Sequence, residues 1–224
     1  MAVDRGLSGP RLRKVYQLLL GAYGRQHWWP AKSRFEVMVG AVLTQNAAWS
    51  NVERAIANLR AADWLRPHPI AAAAPAALAE LIRPAGYFNV KARRLQSFCR
   101  FLLEQGGEGA LAARPTAELR TQLLRVHGVG PETADDMLLY AFERPVFVID
   151  TYTRRLLSRL QLCSGAESYD DLRLAIEAAL GPDVALFNEY HALIVRHAKE
   201  VCRVRPRCTG CVLSRRCPAA CAND

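Results

Sequence analysis

The sequence predicts an all-α protein, on three observations. Alanine and leucine are abundant in a chain that is 51% hydrophobic, and both are strong helix formers. Residues suited to strands come together only briefly, in Val146-Phe147-Val148-Ile149, which leaves a sheet little to build on. Elsewhere apolar residues recur at helical spacing, in segments delimited by prolines and glycines.

The elements follow in order. Residues 9–24 form a first helix, with Leu12, Val15, Tyr16, Leu18 and Leu19 at helical spacing, and the turn-like His27-Trp28-Trp29-Pro30 ends it. Phe35 to Ala48 is strongly apolar and then amphipathic through Leu59, which predicts one or two long helices. Pro67 and Pro69 punctuate the chain. Ala71 to Ile82 reads as an alanine-rich helix stopped by Pro84. Asn89 to Leu103 is the next helix, broken by Gly106-Gly107. Pro115 to Leu124 and Pro131 to Phe142 are two helices flanking a glycine hairpin. Thr151 to Leu160, Asp170 to Leu180 and Val184 to Val201 complete a helical tail, and the N-terminal segment is expected to pack against it.

A chain of 224 residues holds one larger domain or two small lobes sharing a core. Its net charge of +9 and pI near 9.5 suit a polyanionic partner. No stretch is long and apolar enough to span a membrane, and Val15 to Ala22 is too short for a signal peptide. Seven cysteines without an export signal argue for reduced thiols, some of them metal ligands, in a cytoplasmic protein.

Three motifs carry chemistry. In Val126-His127-Gly128-Val129-Gly130-Pro131-Glu132-Thr133-Ala134, two glycines bracket a small residue between helices. Glycine permits positive φ and close backbone approach, and Pro131 suits a first helical position whose positive end faces an anion. Such a hairpin holds a phosphate and reads no sequence; an ordinary tight helix–helix turn has the same residues. Asp150, sixteen residues beyond Ala134, stands between an apolar run and a helix, where an N-cap is expected and a catalytic carboxylate is the other reading. Cys202, Cys208, Cys211 and Cys217 follow the spacing Cys-x5-Cys-x2-Cys-x5-Cys. Four thiolates this dense imply a metal centre, and only one Cys-x2-Cys pair of the kind zinc favours is present.

From about Phe35 through Cys217 these residues resemble the helix–hairpin–helix superfamily of DNA glycosylases, to which endonuclease III belongs. The resemblance implies two helical lobes: a helical-barrel domain over 34–143 that contains the hairpin, and an N/C-terminal lobe of 1–33 and 144–224. It implies a [4Fe–4S] cluster on Cys202, Cys208, Cys211 and Cys217, within the loop 202–217, with the first gap one residue shorter than in endonuclease III. With a cluster site of about −2, the chain stays clearly positive. Cys221 lies just past the fourth ligand and is an alternative to it. The matching aspartate is catalytic in the family, which assigns that role to Asp150. The hairpin residues His127, Gly128, Val129 and Gly130, with a monovalent cation, would hold the DNA backbone.

The departures are as informative. Endonuclease III places a Schiff-base lysine just after its hairpin, where this chain has Glu132. A carboxylate forms no imine, so the expected enzyme is monofunctional, with weak or absent strand cutting. Trp28-Trp29-Pro30, Gly40 to Asn46, Arg83 to Asn89, Lys91 to Leu95, Glu132 to Asp135 and Leu139-Tyr140-Ala141 resemble the 3-methyladenine DNA glycosylase III branch. That likeness places a flipped base between Trp28 or Trp29 and Trp49, with Lys199 near the pocket. Gln45 and Asn46 would fill the vacated stack or reach the opposite strand. Methylated purines are cationic, and indole faces attract cations. The expected activity is therefore release of alkylated purines such as 3-methyladenine from damaged double-stranded DNA, by a monomer in base excision repair. Three alternatives remain open: a monofunctional enzyme for oxidised or mismatched pyrimidines, a non-catalytic iron–sulfur DNA-binding protein, and a zinc-stabilised RNA or DNA module, which would be colourless. Cys99 and Cys163 read as apolar fillers, and Arg203, Arg205, Arg207, Arg215 and Arg216 as phosphate contacts on the cysteine loop.

Overall fold

A computed structural model describes residues 6–220, so Cys221 lies outside the described residues. They form twelve α-helices and no strand. The chain divides into two compact units, one of Trp29–Arg144 and one of Met1–Trp28 with Pro145–Asp224.

The Trp29–Arg144 unit is built around α2 (Arg34–Leu43), in which every residue from Phe35 to Leu43 is buried. Ser33 starts it by accepting a hydrogen bond from Glu36 N at 3.2 Å, and Glu36 pairs with Arg60 at 2.8 Å. The long apolar stretch resolves into two helices because the chain turns at 44–48 before α3 (Trp49–Ala61). The proline-marked region forms α4 (Pro67–Ala72) and α5 (Pro75–Leu81), with Pro67 and Pro75 in their first turns. The single alanine-rich helix expected over 71–82 is thus corrected: Pro75 holds Ala74 extended and breaks it. A 3₁₀ turn at Arg83–Ala85 leads into α6 (Phe88–Glu104). Gly106 and Gly107, at positive φ, open the short α7 (Gly107–Ala112) rather than a plain loop. Then come α8 (Thr116–Leu124) and α9 (Pro131–Asp136), which runs on as a π turn over Met137–Ala141.

Lys91 organises this core. The residue is 1% exposed, and its ammonium donates to Leu43 O at 2.9 Å and Ala85 O at 2.7 Å. One cation thereby satisfies the terminal carbonyls of α2 and of the 3₁₀ turn, where the helix dipole favours positive charge.

In the other unit α1 (Gly9–Tyr23) packs on α11 (Tyr169–Leu180) and α12 (Val184–Glu200), and α12 packs on α10 (Thr151–Arg159). Arg11 and Arg13 of α1 donate to the carbonyls of Leu160 and Leu180, just beyond α10 and at the end of α11. This is how the N-terminal helix joins the C-terminal tail. The apolar run 146–149 is extended and has no ladder. Phe147 N donates to Glu177 Oε1 at 2.9 Å and Ile149 N to the Tyr169 hydroxyl at 3.3 Å, so side chains serve its backbone donors.

Candidate active site and cysteine centre

The hairpin lies between α8 and α9. Gly128 has φ +87°, Val129 N closes the turn onto Val126 O at 3.0 Å, and Gly130 is the extended residue ahead of Pro131. His127 and Gly130 are exposed, whereas the Val129 side chain is buried. Two contacts fix its shape. Asp135, wholly buried, takes a bidentate grip from Arg120 of α8 at 2.7 and 3.1 Å. The Gln45 amide donates to Gly128 O at 3.0 Å and to Thr133 Oγ1 at 2.9 Å, and its oxygen accepts from Arg94. Gln45 is therefore engaged by the hairpin in this structure, while Asn46 beside it is exposed in the left-handed region at φ +52°. A Cβ at position 128 would run into the Arg94 side chain. Gly128→Ala accordingly combines left-handed strain with displacement of Arg94. The expected result is a loss of about 1–3 kcal/mol in thermal unfolding, with weaker DNA binding.

The aromatic residues are assembled differently from a stacking slot. Trp29 meets Trp49 edge to face, ring centroids 5.1 Å apart at 87°, and Tyr140 of the π turn meets Trp29 at 5.1 Å and 50°. Gly40 makes room for the Trp29 ring, which a Cβ would approach at 3.1 Å. Trp29 and Trp49 thus touch each other with no base-wide gap between them, and Tyr140, quoted in the branch likeness but given no role there, joins the cluster. Trp28 is half-buried. Tyr87, also within the quoted likeness and given no role there, is an aromatic 71% exposed at φ +46° just ahead of α6. Left-handed backbone is unusual for such a side chain, and that strain is its signal.

Asp150 caps α10: Oδ1 accepts from Thr153 N at 2.6 Å. Its other oxygen lies 3.5 Å from His191 Nε2 of α12. Both residues are buried. Burial pushes the Asp150 carboxyl up, but the His191 contact and the Thr153 donors outweigh it and hold the group below the usual range, ionised at neutral pH. His191 was not anticipated, although a histidine opening the apolar run Ala192–Val195 of α12 was its trace in the sequence. Lys199 is exposed, its ammonium 5.8 Å from the Tyr152 ring centroid, which Arg155 also faces at 5.2 Å.

Cys202, Cys208, Cys211 and Cys217 all line one cavity of about 240 Å³ with Leu156, Leu160, His197 and Leu213. Among the described residues no three metal-binding side chains converge closely enough to close round a single ion. Four thiols around one roomy cavity suit a polynuclear centre better than zinc, whose ligands meet about 2.3 Å from one point. Burial first, then the neighbouring cysteines' charges, raise the Cys211 and Cys217 thiols, so a cationic metal would favour the thiolate form of these two. Helix α10 braces the loop. Arg155 donates to Cys202 O at 2.9 Å, and Arg159 to Cys202 Sγ at 3.2 Å and Arg203 O at 2.6 Å. The five loop arginines are exposed. Cys99 is fully buried, as expected of an apolar filler, and Cys163 half-buried.

An all-helical chain with a glycine hairpin pinned between two helices defines the helix–hairpin–helix class. Within it, the profile of the HhH-GPD superfamily of base excision DNA repair proteins matches residues 39–182. A Methanocaldococcus jannaschii protein assigned as a DNA repair glycosylase is 46% identical over 207 residues, 91% of this chain and 94% of that one. Endonuclease III of Escherichia coli K12 is 30% identical over 197 residues, 83% of each chain. Among solved structures, the H. pylori 3-methyladenine DNA glycosylase bound to 1,N6-ethenoadenine superposes with a TM-score of 0.74 at 29% identity, covering 87% of this chain and 98% of that one. An endonuclease III–DNA complex shares the fold, with a TM-score of 0.83 at 22% identity over 96% and 98% of the two chains. The chain belongs to the HhH-GPD superfamily and is an endonuclease III-like DNA glycosylase of base excision repair.

Proposed function

We propose that this protein is a monofunctional glycosylase that releases alkylated purines such as 3-methyladenine from double-stranded DNA. The observation that carries the reading is the pairing of Glu132 at the lysine's place with the indole cluster of Trp29 and Trp49. Indole faces attract the cationic ring of a methylated purine at about 0.5–2 kcal/mol each. In this reading the base stacks against the indole cluster rather than between Trp29 and Trp49, whose rings meet edge to face. The glycosidic bond of a methylated purine is already labile, so a leaving-group acid is dispensable. Asp150, kept anionic, stabilises the positive charge that builds on the sugar and orients the attacking water. The hairpin at 127–130 holds the backbone, and Tyr87 fills the space that the flipped base vacates. The same reading assigns Lys199, whose ammonium lies 5.8 Å from the Tyr152 ring centroid, to the base pocket. A monovalent cation at the hairpin and action as a monomer belong to the same reading.

Cys202, Cys208, Cys211 and Cys217 would hold a [4Fe–4S] cluster. When bound, it pins the loop so that the loop arginines face phosphates. Purified protein is expected to be brown, to absorb near 400 nm and to carry about four irons per chain.

A duplex containing one abasic site, incubated with the protein and borohydride, tests the monofunctional claim. Glu132 predicts no covalent adduct and no strand cutting before alkali. A trapped adduct contradicts it.

A further inference from the structure

Tyr23 ends α1, His197 lies on the buried side of α12, and Cys211 is in the cysteine loop. Their side chains form one chain of contacts: Tyr23 Oη is 2.8 Å from His197 Nδ1, and His197 Nε2 is 3.7 Å from Cys211 Sγ. His197 is 1% exposed, with its ring centroid 5.8 Å from that of Tyr23. The Arg196 guanidinium lies 4.8 Å over the Tyr23 ring and donates to the Tyr23 carbonyl at 3.2 Å, which fixes the phenol in place.

Donor accounting sets the tautomer. A metal-bound thiolate only accepts, and a phenol both donates and accepts. Both contacts are hydrogen bonds only if Nε2 carries the imidazole proton and Tyr23 O–H donates to Nδ1. A donor on a cluster sulfur withdraws electron density and stabilises the reduced, more negative cluster.

We propose that His197, oriented by Tyr23, donates a hydrogen bond to the Cys211 sulfur and thereby raises the reduction potential of the iron–sulfur cluster and slows its loss. The inference rests on the cluster reading. It gives the N-terminal helix a role that base release does not require, that of tuning the cofactor.

The test uses full-length protein purified without air. The midpoint potential is measured by spectroelectrochemical titration, and bleaching near 400 nm is followed after air is admitted. His197→Leu is expected to lower the midpoint and bleach several-fold faster. His197→Gln, whose amide can still donate, should stay near wild type. Tyr23→Phe, which frees the tautomer without touching the sulfur's partner, should fall between. Should His197→Leu fail to load iron, the Tyr23→Phe and His197→Gln pair decides. Loaded variants that all share the wild-type midpoint and bleaching rate overturn the proposal. Wild type without iron overturns the cluster reading first, and this inference with it.

Discussion

Asp150→Asn is expected to cut base release by about two to three orders of magnitude while leaving DNA binding and folding nearly unchanged. Oδ1 of Asp150 accepts from Thr153 N at 2.6 Å, and asparagine caps a helix about as well as aspartate. The exchange therefore keeps α10 and removes only the charge. A fixed carboxylate beside a developing sugar cation acts as an oxyanion hole does with the sign reversed, and losing one such group costs about 10²–10³ in rate. The measurement is single-turnover release beside a binding isotherm. A parallel loss of binding would make Asp150 structural. A smaller effect follows from linkage. The carboxyl is held below its usual range when folded, so its stabilisation is present above the unfolded pKa of about 3.9 and disappears as pH falls through the folded value. Wild type and Asp150→Asn should therefore converge in stability in acid.

Lys91→Met is expected to destabilise the protein by about 3–5 kcal/mol, with Tm lower by roughly 10 °C. The methionine fills the volume but leaves the carbonyls of Leu43 and Ala85 buried without their donor. Burial, then Arg94, brings the Lys91 ammonium down to about 8. A free lysine titrates near 10.4, so between these values the unfolded chain binds more protons. Folding stability should then rise with pH from about 8 to 10.4 in wild type, relative to Lys91→Met. A difference between the two that stays flat over that window would contradict the assignment.

What could be read from the sequence was what local chemistry dictates. Gly128 and Gly130 announce a turn, Pro131 a helix start and Asp150 a cap, because each acts on its own backbone. The misreading over 71–82 was also local, since Pro75 within an alanine run was a visible break. What escaped was tertiary. Lys91 looks like any surface lysine until α2 and the 3₁₀ turn end beside it. Gln45, expected to point at DNA, is recruited by Gly128 and Thr133, which are remote in sequence. Arg159 grips Cys202 only once α10 lies along the loop, and the π turn that presents Tyr140 has no composition of its own.

The most direct test of the substrate assignment is to incubate the iron-loaded protein with methylated duplex DNA and identify the free bases by mass, with Asp150→Asn as control. The account predicts free 3-methyladenine or 7-methylguanine, dependent on Asp150, with strands intact until alkali. Release of oxidised or mismatched pyrimidines with no methylated purine would contradict it.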